Sequence, residues 1–287
     1  MAGAHPAGSW MAPGAAKLDL LYVSDYATND VYAYSYPQGK LSGVLEGILK
    51  ESPLQAALCA DAKGDVFVPN SSNSTLLEYA HGSTKLVATL QDPDELPYGC
   101  AVDPRTGDLA VVNYESYIGP GGLAVYAHAN GLPRIYVYGF AYKFYFDAYD
   151  AQGNLFVDAV QDEPSEPFAL LELPEGSHSL KLMSLDETFS VPAGVAWDGK
   201  YVDVGDSQTS VVYRFAIAGL VGTKVGATPL GAGRDVEQFL VDGNRLVGAN
   251  FHGGSVAFWE YPAGGAPTEK LRGFGRPFGV ALSEAPK

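Results

Sequence analysis

Positive charge is scarce in this chain: 18 Lys and Arg stand against 33 Asp and Glu, for a net charge of −15 and an isoelectric point near 4.6. Such a chain is repelled by a phosphate backbone and by an anionic membrane surface, which excludes nucleic acid as a partner. Long apolar runs are missing as well. Residues 135–149 come closest, and Lys143 and Asp147 interrupt them, so nothing reaches the 18 or more residues that a membrane-spanning helix requires. Residues 1–17, which include His5, have neither a basic n-region nor a long apolar h-region. Their Ala/Gly/Pro composition reads as a flexible leader left after a signal peptide is removed. The expectation is therefore an extracytoplasmic bacterial protein, periplasmic or secreted. The chain also lacks G-x-S-x-G, H-E-x-x-H, phosphate-loop, dinucleotide and EF-hand patterns. With two Cys and scattered His, a zinc site of the usual spacing is absent.

What is present is regular. A hydrophobic content of 47% with 18% charged residues excludes disorder, and 34 Gly with 19 Pro supply frequent tight turns. Six apolar runs end in Asp or Asn: Asp25 in LYVSD, Asn70 in VFVPN, Asn113 in LAVVN, Asp158 in LFVDA, Asp206 in VDVGD and Asn250 in LVGAN. The steps between them are 45, 43, 45, 48 and 44 residues. A period in this range, with several short strands per unit, is the sign of a β-propeller blade. Each unit shows an apolar strand, an Asp-containing turn (DAKG, DPRTG, DAQG, DG, DG), a second strand, a third and a fourth. Asp198-Gly199 and Asp242-Gly243 between apolar runs are hairpin turns, since both central residues need positive φ. In VYAYSY the period-2 alternation puts Tyr32, Tyr34 and Tyr36 on one face. The first unit lacks its first strand, and PFGVAL at residues 277–282 repeats PYGCAV and PAGVAW. The C-terminal segment therefore completes blade one and removes the free sheet edges. The predicted fold is all-β: a monomeric six-bladed propeller of four-stranded antiparallel blades, one domain over residues 18–287.

The units PYGCAVDPRTGDLAVVN and PAGVAWDGKYVDVGD resemble the NHL-type repeat, and LYVSDYATNDVYAYS is similar to its second half, including Asn29 four positions after Asp25. The resemblance runs over residues 18–282 and extends to the six-bladed group that includes the gluconolactonase and senescence-marker-protein family and strictosidine synthase. It implies the fold; the group holds scaffolds, lyases and hydrolases alike. In the lactonase branch a central metal is held by a Glu near the first blade, Asn residues and an Asp. This chain has no early Glu-Gly-Pro segment to match that Glu.

The strand ends place Asp25, Asn70, Asn113, Asp158, Asp206 and Asn250 in a ring around one mouth of the channel. They are candidate oxygen ligands for Ca²⁺ or another divalent cation, or alternatively Asx caps of their own loops. Loops on the same face carry Glu115, Tyr117, Asp162, Glu163, Glu166, Arg234, Asp235, His252 and Arg276. Tyr114, Tyr142, Tyr145, His252 and Arg276 are the candidate ligand-binding residues, with the rings suited to stacking on a sugar or another flat ligand. His252 and Asp206 are the candidate catalytic groups. His81 and His128 fall on turns of the opposite side and read as solvated. Cys59 and Cys100 lie on inner strands of adjacent blades, to be paired in an exported protein and buried thiols in a cytosolic one. The sequence supports a non-catalytic binding propeller that holds a small molecule or partner at an acidic, aromatic-rimmed mouth. The alternative is a metal-dependent hydrolase or lactonase of the gluconolactonase type.

Overall fold

The computed structural model of the chain describes residues 8–50, 52, 54–161 and 168–286. The second strand is buried along its whole length in blades one, two and five, at Leu20–Asp25, Val66–Asn70 and Val202–Asp206, and along most of it in the other three. The reason is that each of its two faces meets a neighbouring blade. From Leu20–Asp25, Leu20 and Tyr22 pack with Leu58, Val66 and Val68 of blade two. Leu21 and Val23 turn the other way, onto Val247, Val256 and Phe258 of blade six. The same division repeats around the ring, so a strand that is apolar on both faces is what this architecture demands.

Blade one consists of Pro277–Ser283 (inner), Leu20–Asp25, Asp30–Ser35 and Lys40–Leu45. Blade two contains Cys59–Ala60, Val66–Asn70, Thr75–Tyr79 and Leu86–Gln91, and blade three Glu95–Val102, Leu109–Ser116, Gly119–Tyr126 and Arg134–Tyr136. Blade four contains Ala141–Tyr149, Leu155–Gln161, Phe168–Leu173 and Lys181–Leu182. Blade five contains Pro192–Trp197, Val202–Asp206, Val211–Ala218 and Val221–Pro229, and blade six Val236–Asp242, Arg245–Asn250, Ser255–Glu260 and Glu269–Arg272. Two blades carry an extra outer strand. Ser184–Leu185 runs parallel to the edge of blade five. Trp10–Met11, within the segment read as a leader, pairs antiparallel with Lys40–Leu45.

The ring closes as the sequence predicts: Leu21 pairs with Leu282, Tyr22 with Ala281 and Val23 with Val280. Side chains then fasten the seam. Ser24 Oγ donates to the Ala56 carbonyl at 2.6 Å and accepts the Gly279 N–H at 2.8 Å, joining blade one to blade two. Gln238 of blade six acts like a peptide unit. Its Oε1 accepts the N–H groups of Leu58 and Val280, both at 2.8 Å, and its Nε2 donates to the Leu58 carbonyl at 2.7 Å. Tyr36 donates to Asp242 at 2.6 Å, while Tyr32 and Tyr34 each pack 5.7 Å from Phe274, so the shared tyrosine face lies against blade six.

His81 corrects the sequence reading of a solvated turn. It is 6% exposed, with Nδ1 2.5 Å from Ser283 Oγ and Nε2 3.1 Å from the Leu18 carbonyl. The blade-two turn folds under the two strands that close the ring, and its imidazole fills the space between them. His128 is exposed as expected. Cys59 and Cys100 form a disulfide with Cα atoms 5.6 Å apart, fixing blade two to blade three across a separation of 41 residues. Loop closure of that length is worth about 3–4 kcal/mol.

A chain ending at Gly275 loses the inner strand of blade one together with the partners of Ser24, His81 and Gln238. It is expected to aggregate on size-exclusion chromatography; a monomer with an unchanged melting temperature would refute closure by strand exchange.

Candidate functional site

The second strands all end at the face where the loops between second and third strands and between successive blades emerge. A strand that stops there leaves loop N–H groups without ladder partners, and a short side-chain acceptor at the strand end is placed to take them. Asp25 accepts from Ala27, Gly275 and Arg276 N–H at 3.0, 2.7 and 2.8 Å. Asp206 accepts from Ser190, Gln208 and Thr209 N–H at 2.9, 3.0 and 3.3 Å. Asn250 accepts the Arg234 N–H at 2.8 Å and donates to the Ala232 carbonyl at 3.2 Å. Asn70 donates to the Ile48 carbonyl at 3.2 Å and accepts the Ser72 hydroxyl at 2.6 Å. Each therefore ties its own loop to the segment that enters its own or the next blade. Asp158 uses one oxygen on the Phe146 N–H at 2.7 Å and leaves Oδ2 without a partner; Asn113 has no partner at either amide atom. Among the described residues no three His, Cys, Asp or Glu converge in metal-ligand geometry.

Behind this ring the channel is filled by aromatic side chains. Tyr98, 6% exposed, stands at the centre, with ring centroids 5.3 Å from Phe278, 5.5 Å from Tyr114, 5.7 Å from Tyr145 and 5.8 Å from Phe146. Phe278 continues the contact to Phe251 at 6.1 Å. Charged groups edge this floor. Lys143 lies 5.3 Å over the Tyr114 ring and 3.9 Å from Glu115, and Arg276 lies 5.8 Å over Phe251. His252, exposed and stacked edge-on to Phe251, places Nδ1 on the Asp235 carboxylate.

The carboxylates around the channel are held in a low-dielectric setting. Burial raises Asp158 and Asp147 well above the usual carboxylate range, and Asp158 is raised further by the charges of Asp147 and Glu237. Burial, aided by Asp235, raises Glu237 from 4.5 to about 8. Burial thus favours the neutral form of these groups.

Of the sequence-predicted residues, the structure brings Tyr114 and Tyr145 together around Tyr98, and His252 and Arg276 together around Phe251. Tyr142 is half-buried in the same strand, Ala141–Tyr149. Tyr117 is 59% exposed, and its hydroxyl donates to the Ser71 carbonyl at 3.2 Å. Asp162, Glu163 and Glu166 lie outside the described residues. Sequence reasoning missed the floor itself. Its signal is that Tyr98 and Phe278 occupy the same place in the repeated P-x-G segments, where blade five has Ala193. It also missed the His252–Asp235 pair, whose members come from different loops of blade six, and Glu237 and Gln238, which look like ordinary polar positions of a strand.

No protein-family model matches the chain, and neither does any curated protein sequence. Solved structures do. A chain of a nidogen/laminin complex superposes with a TM-score of 0.76 at 13% identity, over 94% of this chain and 100% of that one. A Bacteroides caccae protein of unknown function gives 0.69 at 12%, over 93% and 99%. Regucalcin, a calcium-binding protein from Agrobacterium tumefaciens, gives 0.60 at 14%, over 83% and 81%. The chain is a six-bladed β-propeller. At these identities the likeness concerns the fold alone, and the propeller's chemistry rests on its own residues.

Two outcomes follow from this geometry. Asp25→Ala strands three backbone N–H groups at about 1–3 kcal/mol each, so urea unfolding should show a loss of roughly 3 kcal/mol or more; a loss below about 1 kcal/mol would mean that water replaces the carboxylate freely. The second concerns pH. Glu237 and Asp203, both raised to about 8, keep protons that the unfolded chain releases above its ordinary carboxylate pKa. Their contribution is complete at low pH and is lost as pH rises through 8. Melting temperature should therefore fall between pH 5 and pH 8, with a shallower slope in Glu237→Gln; a rise over that range would contradict the assignment.

Proposed function

We propose that this propeller is a non-catalytic binding protein that holds a flat, ring-bearing small molecule with oxygen acceptors, such as a sugar, at the channel mouth. One observation carries the reading: the continuous line of rings from Tyr114 through Tyr98 and Phe278 to Phe251, with Arg276 at its end. Among the described residues no carboxylate lies within ion-pair distance of Arg276. A guanidinium over an aromatic face, free of a carboxylate, is placed to donate a fork of hydrogen bonds to a ligand stacked beside it. His252, oriented by Asp235, supplies a further polar contact on the same side.

The hydrolase or lactonase reading has less support. The oxygens of Asp25, Asp206 and Asn250, which would have to face a central metal, are directed at backbone N–H groups instead. The disulfide between Cys59 and Cys100 supports an oxidising, extracytoplasmic location for a monomeric protein.

Saturation-transfer NMR with a panel of neutral mono- and disaccharides and planar aromatic acids tests the proposal. A binder should lose affinity on the order of tenfold, about 1.4 kcal/mol, in Tyr114→Ala and in Arg276→Ala, with the fold unchanged. Binding that ignores both substitutions would remove the mouth as the site.

A further inference from the structure

Trp10–Met11, the added strand on the edge of blade one, sends its two side chains to opposite sides of the sheet. Met11 packs against the core between blades one and two. Trp10 faces the other way and is half-buried. It stands opposite Val44, and Val44 stands opposite Tyr32, so the three side chains form one row across the outer half of the blade. Two strand spacings of about 4.8 Å separate the indole from the phenol ring. Two residues further along the same three segments, Gly8, Glu46 and Asp30 form a second row. Both rows, with Asn29 and Lys50, line one cavity of about 410 Å³.

The cavity is held in shape from several sides. Gly43 pairs with Met11, and a Cβ at that position would run into Met11 Sδ and lie 2.8 Å from the Trp10 carbonyl oxygen. Glycine there lets the added strand come close to the outer strand of the blade. Glu46 grips the same segment twice: its N–H donates to Ser9 Oγ at 2.9 Å, and its Oε2 accepts the Gly8 N–H at 2.5 Å. Asp30 Oδ1 accepts the Gly47 N–H at 2.7 Å. The Tyr32 ring is set edge-on against Phe274, with centroids 5.7 Å apart. Each carboxylate takes a single backbone N–H and so has acceptor capacity to spare.

The lining combines aromatic faces with polar groups of both kinds. Asp30 and Glu46 are acceptors, while the Lys50 ammonium is a donor that forms no ion pair among the described residues. The Asn29 amide is both. A cationic ligand would meet Lys50, and a carboxylate or phosphate would meet two carboxylates. A hydroxyl group donates and accepts at once, and it suits both sets of partners. A pyranose ring adds an apolar C–H face that stacks on an indole or a phenol. The span from Trp10 to Tyr32 accommodates two such rings side by side.

We propose that Trp10, Tyr32, Asn29, Asp30, Glu46 and Lys50 form a saccharide site on the outer rim of blade one, sized for an uncharged disaccharide unit. It shares no residue with the channel mouth and does not depend on the ligand proposed there. The site also gives the segment ahead of blade one a purpose, since that segment carries the indole onto the sheet.

The test uses the full, oxidised chain in calorimetric titrations with cellobiose, maltose, lactose and N,N′-diacetylchitobiose, with choline and inorganic phosphate as charged controls. The expected result is that a disaccharide binds and the two ions do not. Trp10→Ala and Lys50→Ala should each weaken one binding event by about tenfold. The same event should persist in Tyr114→Ala and Arg276→Ala, which report on the channel mouth. Because Trp10→Ala also removes packing from the added strand, Lys50→Ala, at an exposed side chain, serves as the variant that keeps its fold. Failure of all four disaccharides to bind, or tighter binding of choline or phosphate, would overturn the assignment. Disaccharide binding that survives both Trp10→Ala and Lys50→Ala but is lost in Tyr114→Ala and Arg276→Ala would also overturn it, while upholding the channel mouth as a site.

Discussion

The structure depends on an interaction seen in full at Asp25 and Asp206: a carboxylate at the end of a blade's second strand accepting backbone N–H groups from the loops on either side. A propeller stacks sheets face to face, and each sheet must send its chain across the top to the next without leaving buried backbone groups unmatched. In Asp25 and Asp206 three N–H groups are collected by one side chain, from both the loop that leaves the strand and the segment that precedes an inner strand. The Asp that recurs at these strand ends thus has a structural reason in blades one and five, where it collects loop N–H groups. The same requirement explains why a ring of oxygen-bearing residues can exist without being a ring of ligands.

Placing so many acidic groups in a packed interior has an electrostatic cost, which the molecule meets in two ways. Where loop N–H groups are at hand, as at Asp25 and Asp206, the carboxylate is used as their acceptor. Where they are not, as at Asp147, Asp158 and Glu237, burial shifts the group toward its protonated form. The aromatic plug built on Tyr98 and Phe278 lies beside Asp158 and Glu237 and fills the axis.

The fold was legible because its determinants are periodic. Strand ends, Asp-Gly turns and the displaced PFGVAL segment repeat, and the pairing of that C-terminal segment with the first strand of the chain's opening blade could be written from sequence alone. The site was legible only in part. Tyr114, Tyr145, His252 and Arg276 could be placed on one face because they sit in loops or near strand ends. Tyr98 and Phe278 were not, because an apolar residue on an inner strand looks the same whether it packs between blades or fills the axis. The burial of His81 was missed for a related reason: its partners, Leu18 and Ser283, stand 63 and 202 residues away and meet it only after the ring has closed. After Asn113 the hairpin is longer than after Asp25, with Asn113 opposite Gly122 and Asp25 opposite Asp30, a difference that the period alone absorbs.

Closure by Pro277–Ser283 also sets the order in which the protein can be made. Blade one has its second, third and fourth strands at residues 20–45 but its inner strand only at Pro277–Ser283. Until that segment is made Leu21 and Val23 are paired on one side only, with Tyr34 and Tyr32, Gln238 lacks the Val280 N–H, and Ser283 is absent from beside His81. The longest-range contacts of the molecule are therefore also its last to become available. A chain of this design closes its ring only once Pro277–Ser283 is in place.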